Sequence, residues 1–324
     1  MESNRLDLPF TGIATFFRSR TCTDLTKLDA DIAILGIPND EGSWWLPGER
    51  FAPRKLREMS LRFVGGPAQM AGFWDIDEDR RYLEYELQNG RIVDCGDVDV
   101  IITRPDTTWE NVTRDVRTIL NAGALPVVLG GDHGNTFPVV RAFSERITVV
   151  HFDAHVDYQP FIHGVIHSWG NPMRLVTALD NVERIIQVGI RSFRTQQQDV
   201  TDSREAGNEV ITVRQLRERG PTALFDLIPE NGSVYVSIDM DVLDLPLVPG
   251  VAAPEPDGLA YAELRSLLLG LATKAEVVGF DVVEVNPMLD TPTSQTAFLA
   301  VQTLTEFLCR IAEHPEYRRK HPRR

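Results

Sequence analysis

Residues 147–157 read ITVVHFDAHVD. Ile147–Phe152 is a continuous apolar run rich in β-branched residues, and Asp153, His155 and Asp157 come after it at spacings of two. A continuous rather than alternating run predicts a strand covered on both faces, as in a parallel sheet. Five more runs share this character: Asp31–Gly36, Leu125–Leu129, Arg184–Gly189, Ser233–Ile238 and Glu276–Phe280. Between them lie segments with helical spacing, at Trp109–Ala122, Phe137–Arg146, Val213–Arg219, Tyr261–Lys274 and Thr296–Glu313. Strand–helix alternation over most of the chain predicts an α/β protein: a three-layer αβα domain around a mostly parallel central sheet. No repeat and no Gly/Ser- or Pro-rich linker divides residues 1–324, so a single domain is expected, with loose ends at 1–10 and 314–324.

In such sheets ligands bind beyond the carboxyl ends of the strands. The residues just past each run are therefore informative. Leu125–Leu129 leads into GGDHG at 130–134, Ser233–Ile238 into Asp239-Met240-Asp241, and Glu276–Phe280 into DVVEVNP at 281–287. His133, Asp153, His155, Asp157, Asp239 and Asp241 thus fall at neighbouring strand tips. In an extended chain, residues two apart face the same side. Four carboxylates crowded together would raise one another's pKa unless cations neutralised them. Two divalent ions can share carboxylates and hold a water between them, and a thiolate-free set of carboxylates and imidazoles favours a metal such as Mn²⁺. Two such ions about 3.5 Å apart make hydroxide available near neutral pH.

The bulk properties are compatible. The chain has 324 residues, 43% of them hydrophobic, with a net charge of −14. An acidic surface repels phosphate backbones and anionic lipid, so nucleic acid and membranes are poor partners, whereas a small cation is drawn in. No apolar run approaches a bilayer span, and the N-terminus lacks a secretory pattern. Three scattered cysteines, Cys22, Cys95 and Cys309, suit reduced thiols in the cytoplasm.

These motifs resemble the ureohydrolase family of arginases, agmatinases and guanidino-acid hydrolases. GGDHG, HFDAHVD at 151–157 and SIDMDVLD at 237–244 carry the resemblance, and ADIAILGIPND, PGERFAPRKLRE, VDCGDVDV, IIQVGIRS and PGVAAPEPDGL extend it. It implies an arginase-like fold and two Mn²⁺ ions, nickel being less usual, on His133, Asp153, His155, Asp157, Asp239 and Asp241. It also implies that a metal-bridging hydroxide attacks a guanidino carbon to release urea and an amine. The resemblance further implies that Asp157 deprotonates the nucleophile, that Glu284 in EVNP pairs with the guanidinium, and that the subunits assemble as trimers or hexamers. The sequence departs from the family where a proton-shuttling His is expected: alignment on GNPMR at 170–174 places Trp169 there. His167, the preferred substitute, and His163 are the imidazoles at hand, and Trp169 becomes an aromatic wall for a cationic substrate. The loop after Asp157 lacks the Thr/Ser/Asn-rich stretch of arginases, which favours an agmatinase-like enzyme acting on agmatine or a guanidino acid. A formiminoglutamase and a catalytically silent metal-binding paralogue are the alternatives.

Overall fold

The computed structural model describes residues 8–64 and 71–323. Eleven strands are present among the described residues: β1 Arg20–Thr21, β2 Ile32–Gly36, β3 Phe73–Asp75, β4 Arg80–Tyr82, β5 Ile92–Asp97, β6 Leu125–Leu129, β7 Ile147–Phe152, β8 Val182–Ile190, β9 Glu209–Thr212, β10 Ser233–Asp239 and β11 Glu276–Val283. Strands β3 and β4 form a separate antiparallel pair. The other nine make one sheet, in the order β1-β5-β2-β6-β11-β10-β7-β8-β9, and every pairing in it is parallel.

Successive side chains of a strand point to opposite faces, and the core divides accordingly. Along β2, Ile32 and Ile34 belong to one apolar layer, Ala33 and Leu35 to the other. The first layer is covered by the helices Ala52–Ser60, Val213–Arg219, Tyr261–Lys274 and Gln295–Ile311, through residues such as Leu56, Leu216, Leu268 and Phe307. The second is covered by Pro105–Asn121, Thr136–Val140 and Pro172–Thr177, through Val112, Val140 and Met173. Each fully buried Leu, Ile or Phe contributes about 1.5–3 kcal/mol relative to an exposed one. Near-continuous burial on both faces is why these strands read as unbroken apolar runs.

Three expectations need correction. The helix expected over Phe137–Arg146 ends at Val140, after one turn and a half that contains Pro138. The last strand runs to Val283, three residues beyond the apolar run, because Asp281 lies inside it as a buried polar residue. The basic C-terminal segment, expected as a loose end, folds into a helix over Pro315–Lys320. There Tyr317 is buried, and Arg318 reaches Glu86 at 2.5 Å and Glu313 at 2.6 Å. Local ion pairing to acids of the body overrides the self-repulsion of RRK. The expectation for residues 1–10 falls mostly outside the described residues, which begin at Leu8.

The connections place the site. Strands β6, β11, β10 and β7 are contiguous in the middle of the sheet. Their carboxyl ends, each carrying acids or a histidine, therefore converge although they are far apart in sequence.

Candidate metal centre

The strand tips turn by different local means. After β6, Gly131 passes so close to Asn39 that a Cβ there would lie 1.9 Å from the Asn39 carbonyl oxygen; only glycine fits. The turn puts His133 into a short 3₁₀ segment, His133–Asn135. After β11 the chain reverses at Glu284 with φ +63°, and its Oε1 accepts a hydrogen bond from the His133 backbone N–H at 2.6 Å. After β7 the segment leaves strand geometry at Asp153, and Asp157 has φ +46°. Asp239 is the last residue of β10, while Asp241 sits in the 3₁₀ turn Met240–Val242, its N–H donating to Asp239 Oδ1 at 2.8 Å. The acid pairs are thus delivered by a strand end plus a tight turn, not by simple strand alternation. Left-handed backbone at two carboxylates costs on the order of 1 kcal/mol each and is held by the surrounding structure.

All six residues singled out from the sequence come together. His133 Nδ1 lies 3.0 Å from Asp153 Oδ2, 3.2 Å from Asp157 Oδ2 and 3.2 Å from Asp239 Oδ2. His155 Nδ1 lies 2.9 Å from Asp241 Oδ2 and 3.3 Å from Asp153 Oδ1. Asp153 therefore faces two groups, one with each oxygen. Donor atoms within 4.8 Å of one another form two sets that share Asp153: His133, His151, Asp153 and Asp157, in which His151 joins and Asp239 falls outside, and Asp153, His155 and Asp241.

His151 is not among the residues that the sequence singles out. It is fully buried, its Nε2 is 2.8 Å from Asp153 Oδ2, and Gln187 lies 3.3 Å from its Nδ1. The spacing of two that marks 153, 155 and 157 extends back to 151, and that is the available signal. A second set also escapes the sequence. Asp281 Oδ1 accepts from Ser237 Oγ at 2.7 Å, and Tyr235 and Thr136 donate to its other oxygen at 2.7 and 2.8 Å. Ser237 Oγ, its proton committed to Asp281, accepts from His133 Nε2 at 2.9 Å. This chain fixes the tautomer and leaves Nδ1, the nitrogen facing the carboxylates, free to ligate.

The electrostatics ask for cations. Burial pushes the carboxyls of Asp157 and Asp239 well up, and neighbouring Asp153 and Asp241 push the same way. Burial alone would lower the imidazoles of His133 and His155, but the adjoining carboxylates overcome it and hold both well above the ordinary value. In the protein alone, protons stand where positive charge is needed. Carboxylates and imidazoles around one shared acid fit a pair of divalent cations, the function of a two-metal site.

His155, Asp157, Asp239 and Asp241 of the cluster line a cavity of about 650 Å³, together with Glu284, Trp44, Trp169, Gln159, Ser192 and Arg194; His133 and Asp153 lie behind them. Glu284 is 4% exposed, and burial together with Asp239, Glu49 and Asp132 holds its carboxyl well above the usual range. A planar cation with several N–H donors would relieve it. Trp169 packs edge-on against Trp44, centroids 5.6 Å apart at 81°, and the two form one wall. The two candidate shuttles are not brought to this cavity. His167 turns away, its ring 4.2 Å from that of Trp109 and its Nε2 2.9 Å from Asp106 Oδ1, and it lines a different depression beside Arg50. His163 is exposed, at φ +54°, and does not line the cavity either. The aromatic surface of Trp109 offers His167 a better seat than an acidic cavity already supplied with imidazoles.

A parallel nine-stranded sheet with a buried, carboxylate-bridged His/Asp centre at its middle defines an arginase-type hydrolase. The Arginase family model matches residues 30–309, and the chain belongs to that family. Guanidinopropionase of Pseudomonas aeruginosa is 32% identical, with 94% of this chain and 93% of that protein aligned. Guanidinobutyrase of the same organism is 31% identical, over 93% and 92%. The solved structure of proclavaminate amidino hydrolase from Streptomyces clavuligerus superposes with a TM-score of 0.80 at 28% identity, covering 94% of this chain and 98% of that one. The chain is accordingly a hydrolase of a family that depends on a binuclear metal centre. No helix among the described residues is long and apolar enough to cross a membrane.

Proposed function

We propose that this hydrolase cleaves a guanidino compound to urea and an amine, with two Mn²⁺ ions held by His133, Asp153, His155, Asp157, Asp239 and Asp241. The observation that carries the reading is Asp153, whose two oxygens face two separate imidazole–carboxylate groups beside a cavity that Glu284 also lines. Manganese suits oxygen and imidazole donors without thiolate; Cys95 and Cys309 are buried elsewhere, and nickel is the other divalent candidate. When bound, the cations supply Lewis acidity that makes a water nucleophilic near neutral pH.

The chain's own residues do the rest. Glu284 binds the guanidinium and orients its carbon over the cluster, while Trp44 and Trp169 exclude water along one side. Asp157 takes the proton of the attacking water. Neither His163 nor His167 lines the cavity, so Asp157 also returns that proton to the departing amine. Agmatine and guanidino acids both satisfy these demands. The scattered thiols Cys22, Cys95 and Cys309 suit the cytoplasm, and by family resemblance the enzyme assembles as a homo-oligomer, a trimer or hexamer, which light scattering measures.

The test is urea release over a panel of guanidino compounds with Mn²⁺-loaded protein. Turnover of at least one compound is expected, with kcat/KM reduced about tenfold to hundredfold in Glu284→Gln, the cost of a charged hydrogen-bond partner. Normal substrate affinity in Glu284→Gln would contradict the assignment.

A further inference from the structure

The cavity over the metal cluster contains a cation that hydrolysis does not use. Arg194 lies four residues past the end of β8 and lines the cavity with Asp157, Asp241 and Glu284. Its side chain is 60% exposed, whereas Glu284 is buried at the cavity floor. The cavity thus carries a buried anion at one place and an open guanidinium at another.

Arg194 is held in place without being saturated. Its Nε and Nη2 lie 3.0 and 2.9 Å from the same oxygen, Glu255 Oε1. That one oxygen also accepts from Ser192 Oγ at 2.6 Å and lies 3.4 Å from His155 Nε2. The Nη1 of Arg194 has no hydrogen-bond partner among the described residues. Its Nη2 sits 3.0 Å from His155 Nε2. With His155 ligating through Nδ1, Nε2 keeps its proton, and two donors cannot bond each other. Nη1, with both of its N–H groups, is the part of Arg194 open to a ligand.

Two acids of the same cavity argue for an ammonium-tailed substrate only at first sight. Asp202 already accepts from Arg174 at 2.7 Å and from Gln198 at 2.6 Å. Asp199 is 5% exposed, with the Arg174 guanidinium close by to offset its charge. Neither offers a free anion to the opening, whereas Arg194 offers unused charged donors.

We propose that Arg194 is a specificity-determining residue that pairs with a carboxylate at the far end of the substrate, so that the site takes guanidino acids in preference to amine-tailed guanidines. This rests on the hydrolytic reading of the site given above. A guanidinium presents parallel N–H donors to a carboxylate, which lysine or a neutral side chain does not reproduce.

Matched pairs that differ only at the tail test it. Urea release from guanidinobutanoate and from agmatine is compared in the wild type, Arg194→Gln and Arg194→Glu, and binding of aminobutanoate and of putrescine to the Mn²⁺-loaded proteins is followed by calorimetry. The wild type is expected to favour guanidinobutanoate in kcat/KM by about tenfold or more, the worth of a charged hydrogen bond. Arg194→Gln loses this preference mainly through KM, and its affinity for aminobutanoate falls by a similar factor. Arg194→Glu turns the preference towards agmatine, a gain that misfolding cannot produce. An unchanged preference in both variants, with turnover intact, overturns the role of Arg194 and leaves the hydrolase standing. If no guanidino compound turns over, the hydrolytic reading fails by itself. Calorimetry then still decides: aminobutanoate binding lost in Arg194→Gln upholds the carboxylate subsite, and binding retained removes it.

Discussion

Two of the places where the sheet buries carboxylates treat them in opposite ways. On β5, Asp94 is matched by Arg57, whose Nε lies 2.8 Å from Oδ2 and Nη2 3.0 Å from Oδ1. The backbone N–H groups of Phe16 and Gly96 add bonds at 2.8 and 3.0 Å, and Arg57 Nη1 reaches Asp97 at 2.6 Å. Charge and hydrogen-bonding capacity are both satisfied within the chain. At the ends of β7 and β10, the carboxylates of Asp153, Asp157, Asp239 and Asp241 meet no arginine and no lysine among the described residues; beside a few backbone N–H groups they face imidazoles, which must take up protons to balance them. A carboxylate buried with a guanidinium is a completed structural element; carboxylates buried with imidazoles alone are set to receive a cation from outside.

The largest effect expected is at the shared acid. Asp153→Asn should reduce urea release to background and lower bound manganese in both halves of the site, measured by elemental analysis. The matching change on β5, Arg57→Leu, should destabilise the protein by about 3–5 kcal/mol, since it strands a buried Asp94. Denaturant unfolding measures that loss, and manganese per folded chain should stay the same. If Arg57→Leu emptied the metal site without destabilising the fold, the contrast between the regions would fail.

Ser237→Ala should come next. It removes the acceptor that orients His133, and outer partners of this kind are worth about 10–100-fold in metal affinity. A chelator competition assay reads the change directly.

Behind the centre, Asp132 sharpens the comparison through pH. Burial, with Asp40 and Glu49 nearby, raises its carboxyl from 3.8 to about 7. The folded state therefore holds a proton that the unfolded chain has lost. Its contribution to stability is complete below about pH 4 and disappears as pH rises through about 7. Melting temperature of metal-free protein should fall between about pH 5 and 8, and less steeply in Asp132→Asn. The smallest effect belongs to His167→Ala: packed on Trp109 and Asp106, it should change kcat by no more than about twofold, as a surface residue does. A loss of tenfold or more would restore His167 as the proton donor.

Much of this is readable in the sequence. Buried parallel strands leave unbroken apolar runs, and the residues just past them are the ones a doubly covered sheet can present to a ligand. His133, Asp153, His155, Asp157, Asp239 and Asp241 are visible for that reason. His151 is not, because a histidine within a strand reads as a tolerated core residue. Asp281 and Ser237 are equally hidden: Asp281 looks like the end of its apolar run and Ser237 like a tolerated small residue within one, so the chain Asp281–Ser237–His133 emerges only when β10 and β11 are paired. The orientations of His167 and Trp169 lie in a loop without periodicity, where tertiary partners such as Trp109 and Trp44 decide which way each side chain turns.

The most direct test counts the metal. Protein stripped with chelator, reloaded with Mn²⁺ and freed of excess should retain about two ions per chain, as a two-metal hydrolytic site requires, and Asp153→Asn about one or none. Wild-type protein that retains no manganese, or a variant that retains as much as the wild type, would contradict the account.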